Sequence, residues 1–270
     1  MSLILSPEHI HAVSPNHRDA TGVVAALLPV VRRYGIDDTP ERLGMFLAQW
    51  AHESNFVAQS ENLNYSAERL CKVWPGRFPT LASARPFAGN PQALANRVYN
   101  GRMGNRPGSN DGWNYRGRGW PQLTGRDGYR AYGRLVGHEL EDNPNLMLRA
   151  DVSAAVCGAF WNAKGLNRHA DAGDMLTVDR AINGGENGLQ DRLLRYRRVI
   201  PLLRDQAAAL ATQADLVHPT NSPQRLFVNG VELDRKTARI TGQVITLPTG
   251  EHQITKRTQV GDKLYVETAS

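Results

Sequence analysis

Thr39-Pro40-Glu41-Arg42-Leu43-Gly44-Met45-Phe46-Leu47-Ala48-Gln49-Trp50-Ala51-His52-Glu53 is the stretch from which the rest of the chain can be read. A threonine followed by proline is a helix N-cap with proline at the first helical position. Leu43, Phe46, Leu47 and Trp50 then recur at three- and four-residue spacing, as on the buried face of an amphipathic helix. Glu53 follows Leu43 by ten positions, so at ~100° per residue it lies about 60° from the middle of that stripe. A carboxylate that borders a core needs a partner or a task.

Upstream, Ser6-Pro7-Glu8 opens another helix, and residues 21–34 are apolar enough for a buried one stopped by Gly35. Downstream, residues 54–66 read as a loop, and Ser66 caps a short helix through Val73. Residues 75–90 read as irregular, residues 91–99 as a helix, and 101–125, with seven glycines and two prolines, as loop. Helical patterns return at 127–136, 151–162, 174–182 and 189–203. An alanine-rich helical connector is expected over 206–220. Beyond it the pattern alternates: Leu226/Val228, Arg239-Ile240-Thr241, Val244/Thr246 and Lys263-Leu264-Tyr265-Val266, separated by Asn229-Gly230, Thr249-Gly250 and Gly261-Asp262. The expected organisation is a mainly α domain over 1–205, the connector, and a small antiparallel β module over 221–270.

Composition excludes several classes. The chain has 270 residues, 41% hydrophobic and 21% charged, an ordinary globular balance. Its longest apolar stretches, such as residues 23–31, fall well short of the ~20 residues of a membrane span. The first eight residues have neither a basic start nor a long apolar run, so no secretory signal is expected. Cys71 and Cys157 cannot build a disulfide framework and read as free thiols. The formal charge of +6 is concentrated in residues 85–134, which hold nine arginines, no lysine and two acids. With Trp113, Tyr115 and Trp120 interleaved, this centre fits either a groove for an extended polymer or a solvated face with internal Arg–carboxylate pairs. On the first reading Arg102, Arg106, Arg116 and Arg118 would hold an anionic polymer.

Familiar motifs are missing. His52-Glu53 has no second histidine four positions after the first, no cysteine sits in a CxxC pair, and there is no nucleophile elbow or phosphate loop. No metal or cofactor is therefore expected. Glu53 and Glu61 remain. Two carboxylates flanking a cleft can divide glycoside hydrolysis, one as general acid and the other as general base for a water. Spacing alone equally fits two surface acids. The run Glu61-Asn62-Leu63-Asn64-Tyr65-Ser66 gathers amides, a phenol and a hydroxyl, the groups that bind sugars, which makes Asn64 and Tyr65 candidate substrate contacts.

Ala51-His52-Glu53-Ser54 and Glu61-Asn62-Leu63-Asn64-Tyr65-Ser66-Ala67 resemble the catalytic region of family 19 glycoside hydrolases. Tyr115-Arg116-Gly117-Arg118-Gly119-Trp120-Pro121-Gln122-Leu123-Thr124-Gly125 resembles that family's second signature. Ile182-Asn183-Gly184-Gly185 and Asp191-Arg192 resemble the third and fourth. The blocks occur in order over about residues 40–200. The disulfide-bearing insertions of the plant class I chitinases are missing, so the match is to the compact, lysozyme-like branch of phage and bacterial endolysins. The resemblance implies a lysozyme-like fold with Glu53 as general acid, Glu61 as general base, and Thr124 helping to hold the attacking water. It implies that Gln122, Tyr115 and Asn183 line the sugar groove and that Arg192, with Glu186, forms a charge network behind the acid.

The expected activity is inverting hydrolysis of β-1,4 bonds between N-acetylated amino sugars of peptidoglycan, with chitin as the alternative polymer. The rival from another class is a wall- or nucleic-acid-binding protein without catalysis, and nucleic acid is the less favoured partner because Glu53 is present. The chain is expected to be a monomer made in the cytoplasm, reaching the cell wall through a lysis pore or a secretion machine.

Overall fold

The computed structural model describes residues 2–185, 187–217, 225–233, 239–241, 244–247, 250–260 and 263–268. Its helices are α1 (Pro7–Val13), α2 (Ala20–Arg33), α3 (Pro40–Ser54), α4 (Ala67–Val73), α5 (Leu81–Ala84), α6 (Pro91–Tyr99), α7 (Asp111–Asn114), α8 (Arg126–Val136), α9 (Ala150–Ala163), α10 (Leu166–Asp171), α11 (Met175–Asn183) and α12 (Leu189–Val217). The strands are β1 (Arg225–Val228), β2 (Val231–Leu233), β3 (Arg239–Thr241), β4 (Val244–Leu247), β5 (Gly250–Val260) and β6 (Lys263–Thr268). The chain divides into two units, Ser2–Arg204 and Asp205–Ser270, and the division falls inside α12.

In the first unit the helix starts follow their capping chemistry. The Thr39 hydroxyl accepts from Arg42 N at 3.3 Å, Ser66 Oγ from Arg69 N at 3.2 Å and Asn90 Oδ1 from Ala93 N at 3.1 Å, each satisfying a backbone donor of the first turn. The α3 stripe is buried as its spacing requires, with Leu43, Phe46, Leu47 and Trp50 at most 1% exposed. Phe46 meets Trp50 and Trp161 of α9 edge-to-face, with ring centres 6.1 and 5.4 Å apart. Two further apolar clusters flank this centre. One gathers Leu63, Leu70, Phe78, Leu94 and Val98, and the other Tyr115, Tyr129, Met147 and Val156. Among the described residues no helix is long and apolar enough to cross a membrane.

Several expectations change. The stretches read as irregular or loop contain α5 and α7, and α10 was not anticipated. Helices of four to six residues are too short to set up a periodic pattern. The connector continues α12 as far as Val217, and residues 218–220 lie outside the described ones.

In the second unit the strands order as β2-β1-β6-β5-β4-β3. The sheet is mixed, not wholly antiparallel, because β1 pairs with β6 in parallel, Leu226 opposite Leu264 and Val228 opposite Val266. Asn229-Gly230 makes the expected tight hairpin (φ 48° and 83°), which gives one edge of β1 to β2. The other edge is taken by the last strand instead of the next, so the first and last strands meet side by side. Leu226, Val228, Ile245, Ile254, Leu264 and Val266 form the core of this unit.

Candidate active site

Glu53 occupies the last turn of α3, where Asn55 (φ 48°) and Phe56 (φ 58°) then reverse the chain. The reversal buries Phe56 edge-on against Trp120, ring centres 5.3 Å apart, and ties the end of α3 to the second signature block. Trp120 is therefore a core residue. The Glu53 side chain is 25% exposed, and its Oε1 takes a short hydrogen bond from Arg192 Nη2. Arg192 is itself buried, with Nη1 3.0 Å from Asp179 and donating to Asn187 O at 2.8 Å. Beside it, His52 Nδ1 lies 2.7 Å from Asp191 Oδ2, which also accepts from Arg195 Nε at 2.6 Å. Gly188 (φ +87°) fills the space between His52 and Arg192, where a Cβ would collide with both.

Glu61 is placed differently. Residues 59–61, 117–119 and 122–124, all expected as loop, pair into a small antiparallel patch bridged at Ser60–Arg118 and Arg118–Leu123. Glu61 N donates to Gly117 O at 2.8 Å, Gly119 N to Gln59 O at 3.0 Å and Leu123 N to Arg118 O at 3.0 Å. The Glu61 carboxylate accepts from Tyr99 Oη at 2.7 Å on Oε1 and from Gly117 N at 3.4 Å on Oε2. A Cβ on Gly117 would lie 2.9 Å from Gln122 Oε1, 3.3 Å from Thr124 Oγ1 and 3.4 Å from Glu61 Cβ. Glu61 thus meets Gln122 and Thr124 of the second signature block around one glycine. Gln122 (φ 48°) is pinned there by its Nε2, which donates to Gln59 O and Gly119 O, while the Thr124 hydroxyl donates to Gln122 O at 2.9 Å.

The remaining candidates divide. Asn64 is exposed, its backbone N–H closing a turn onto Asn62 Oδ1, and Tyr65 is half-buried against Trp74. Asn183 is exposed at the end of α11 and donates to Asn187 O, the carbonyl that also serves Arg192. Tyr115 is 7% exposed, packs on Tyr129 with ring centres 5.4 Å apart, and gives its hydroxyl to Glu141 O, while it also lines a cavity of about 490 Å³ with Trp113, Arg116 and Glu141. Glu186 lies outside the described residues, and the acid found behind Arg192 is Asp179. An aspartate on the Met175–Val178 face of α11 was its signal, because a carboxylate on a buried stripe requires a cation. Tyr99 was also missed. It is the last residue of α6, and nothing in its own segment marks it.

Five of the nine arginines in the basic centre have partners within the protein. Arg106 and Arg126 pair with the buried Asp111, Arg126 and Arg130 pair with Glu141, and Arg118 is buried on the carbonyls of Asn114 and Arg116. Arg116 lies 3.6 Å above the Trp113 ring. Of the four arginines expected to hold an anionic polymer, Arg102 alone is not committed in one of these ways. The Arg106 bond to Asp111 and the Arg130 and Arg126 bonds to Glu141 hold both carboxyls down at about 2. A cavity of about 750 Å³ is lined by Asn55, Phe56, Val57, Trp120, Asp191 and Arg195 among others, but by neither glutamate. Chemistry, and not cavity size, singles out the site.

No sequence-family model matches the chain. A Haemophilus influenzae protein described as "Glycosyl hydrolase family 19 domain-containing protein" is 33% identical over 202 residues, 74% of this chain and 98% of that protein. Chitinase C from Streptomyces griseus HUT6037 superposes with a TM-score of 0.50 at 18% identity, over 75% of this chain and 93% of its own. A crystal structure of a chitinase C mutant gives the same score and identity over 74% and 77%. These structures share the fold, and it is lysozyme-like. The sequence relationship over nearly the whole of the Haemophilus protein, together with this fold, makes the chain a glycoside hydrolase that belongs to family 19.

Proposed function

We propose that this enzyme cleaves β-1,4 bonds between the N-acetylated amino sugars of peptidoglycan, with inversion, using Glu53 as general acid and Glu61 as general base. The convergence of Glu61, Thr124 and Gln122 on Gly117 carries the reading. A water donating one hydrogen to Glu61 Oε2 and the other to Thr124 Oγ1 keeps a lone pair for the anomeric carbon. On the acid side, the Arg192 guanidinium bridges Glu53 and Asp179, and the acid must carry one proton into the reaction. Glu53 is the partly exposed member of the pair and delivers that proton to the leaving oxygen. Gln122, Asn64, Tyr65 and Asn183 are the polar contacts offered to the sugars. No metal or cofactor enters these steps, and the place of action is the cell wall.

Peptidoglycan is preferred because the compact sequence resembles the endolysin branch. Chitin is the second reading, favoured by the name of the Streptomyces griseus enzyme that shares the fold. Digestion of purified peptidoglycan and of chitin, with analysis of new reducing ends, tests both. Faster release of reducing ends from peptidoglycan is expected. Cleavage of chitin alone would select the second reading, and release of peptides without reducing ends would end both. NMR of fresh chito-oligosaccharide product should show the α-anomer first, and an initial β-anomer would rule out inversion.

A further inference from the structure

The general base has a second anchor beyond the backbone patch. Tyr99 closes α6, and its hydroxyl donates to Glu61 Oε1 at 2.7 Å, within the short range of a phenol on a carboxylate. The tyrosine is fixed at its own backbone. Its carbonyl accepts from Asn105 Nδ2 at 3.0 Å, Asn105 is 3% exposed, and Asn105 Oδ1 accepts from Arg126 N at the start of α8. The phenol therefore hangs from two helix ends and the apolar cluster around Leu94 and Val98. We infer that Tyr99 is a positioning residue for the base: by occupying Oε1 it holds the Glu61 carboxylate in one rotamer and leaves Oε2 as the oxygen that takes the proton of the attacking water. This rests on the assignment of Glu61 as base and adds what aims it.

The two carboxylate oxygens are unequally held. Among the described residues Oε2 has only the Gly117 N–H at 3.4 Å, beyond the usual 2.7–3.2 Å of such bonds, and keeps capacity for a water. A free glutamate samples several staggered rotamers, and a base turned away from its water is idle for that fraction of time. Burial, followed by the bond to Glu61, pushes the Tyr99 hydroxyl well above the ordinary tyrosine range, so it remains a donor at working pH. Tyr65, Arg102, Arg116 and Tyr129 are the other titratable groups that act electrostatically on this pair.

Tyr99→Phe keeps the ring and its packing and removes only the donor. On a chito-oligosaccharide the expected result is a 10- to 100-fold lower kcat, KM within about twofold, an unchanged melting temperature, and an acidic limb of the rate profile moved to higher pH. A carboxylate deprived of a donor is less favoured in its charged form, hence that direction. In a Glu61→Gln background the same change should cost almost nothing, since Tyr99 acts through Glu61. Equal losses in both backgrounds would make Tyr99 a packing residue, and a wild-type rate and profile beside an inactive Glu61→Gln protein would overturn the inference. Full activity of Glu61→Gln would instead overturn the base assignment beneath it. If Tyr99→Phe melts early, a fluorinated tyrosine at position 99, a stronger donor of the same shape, should move the acidic limb to lower pH. An unmoved limb would refute the proposal.

Discussion

Glu53 ends a fifteen-residue helix and leans on charge, whereas Glu61 sits on a patch of three-residue segments and leans on backbone bonds and a neutral phenol. On the acid side, buried Arg192 is gripped by Asp179 and the neighbouring His52 by Asp191. The base side has no ion pair to its carboxylate among the described residues. Its order comes from the 59–61, 117–119 and 122–124 ladder and from Tyr99. The contrast fits the two tasks. On the roles proposed for them, the proton donor lies against a buried cation, and the water-activating base has fixed geometry with one oxygen left open.

The strongest way to break this comparison is Glu53→Gln, which keeps a hydrogen-bonding group near Arg192 but cannot give up a proton. Activity should fall ~10²–10⁴-fold with the fold intact. Full turnover by the folded variant would sink the two-carboxylate reading. Next comes Arg192→Leu, which removes the buried guanidinium that bridges Asp179 and Glu53 and should cost about 3–5 kcal/mol, lowering the melting temperature by roughly 10 °C. The double variant Arg192→Leu/Asp179→Leu should recover much of that loss. A single variant melting like wild type would show that the acid side is not held by charge.

On the base side, Gly117→Ala drives a methyl towards Gln122 Oε1 and Thr124 Oγ1. A roughly tenfold lower kcat is expected, with only a small change in melting, because the water position moves more than the fold. An unaltered kcat would remove Gly117 as the meeting point. Acid should also separate the two sides. Asp111 and Glu141, bound by the arginines that brace the base side, are depressed to about 2. Their contribution is present above about pH 4 and is lost as pH falls towards 2. For the buried Asp111 it amounts to about 2 kcal/mol. Thermal melts that stay flat from pH 4.5 to 2.5 would contradict this. The smallest effect concerns salt. With Arg106, Arg118, Arg126 and Arg130 committed internally, activity on whole walls should change less than about twofold between 50 and 200 mM salt. A steep fall would return the basic centre to polymer binding.

The helices that carry long apolar stripes were legible because burial and periodicity are local properties. Leu43, Phe46, Leu47 and Trp50 state the α3 face in the sequence itself, and Thr39 and Ser66 mark their own helix starts. Glu53 was legible as a borderline carboxylate for the same reason, and Asn229-Gly230 as a hairpin. The parallel pairing of β1 with β6 was not, since alternation tells which face of a strand is buried and nothing about its neighbour. Nor does a position in a signature block tell how deeply Tyr115 is packed, since its ring is mostly covered by Tyr129 while it also lines a cavity.

By itself, the sequence determined the helical class, the starts of the longer helices, the β module, and the order of blocks that pointed to the family and singled out both glutamates as candidates. Only the tertiary structure decided that three short loop segments pair into a patch under Glu61, that Tyr99 holds that carboxylate, that Asp179 answers Arg192, and that much of the basic centre is spent on internal partners. These contacts join residues that no single helix or strand pattern links, Tyr99 and Glu61 being 38 positions apart. A hydrogen bond or ion pair depends on where two atoms meet in space, and no local pattern of residue types encodes that meeting.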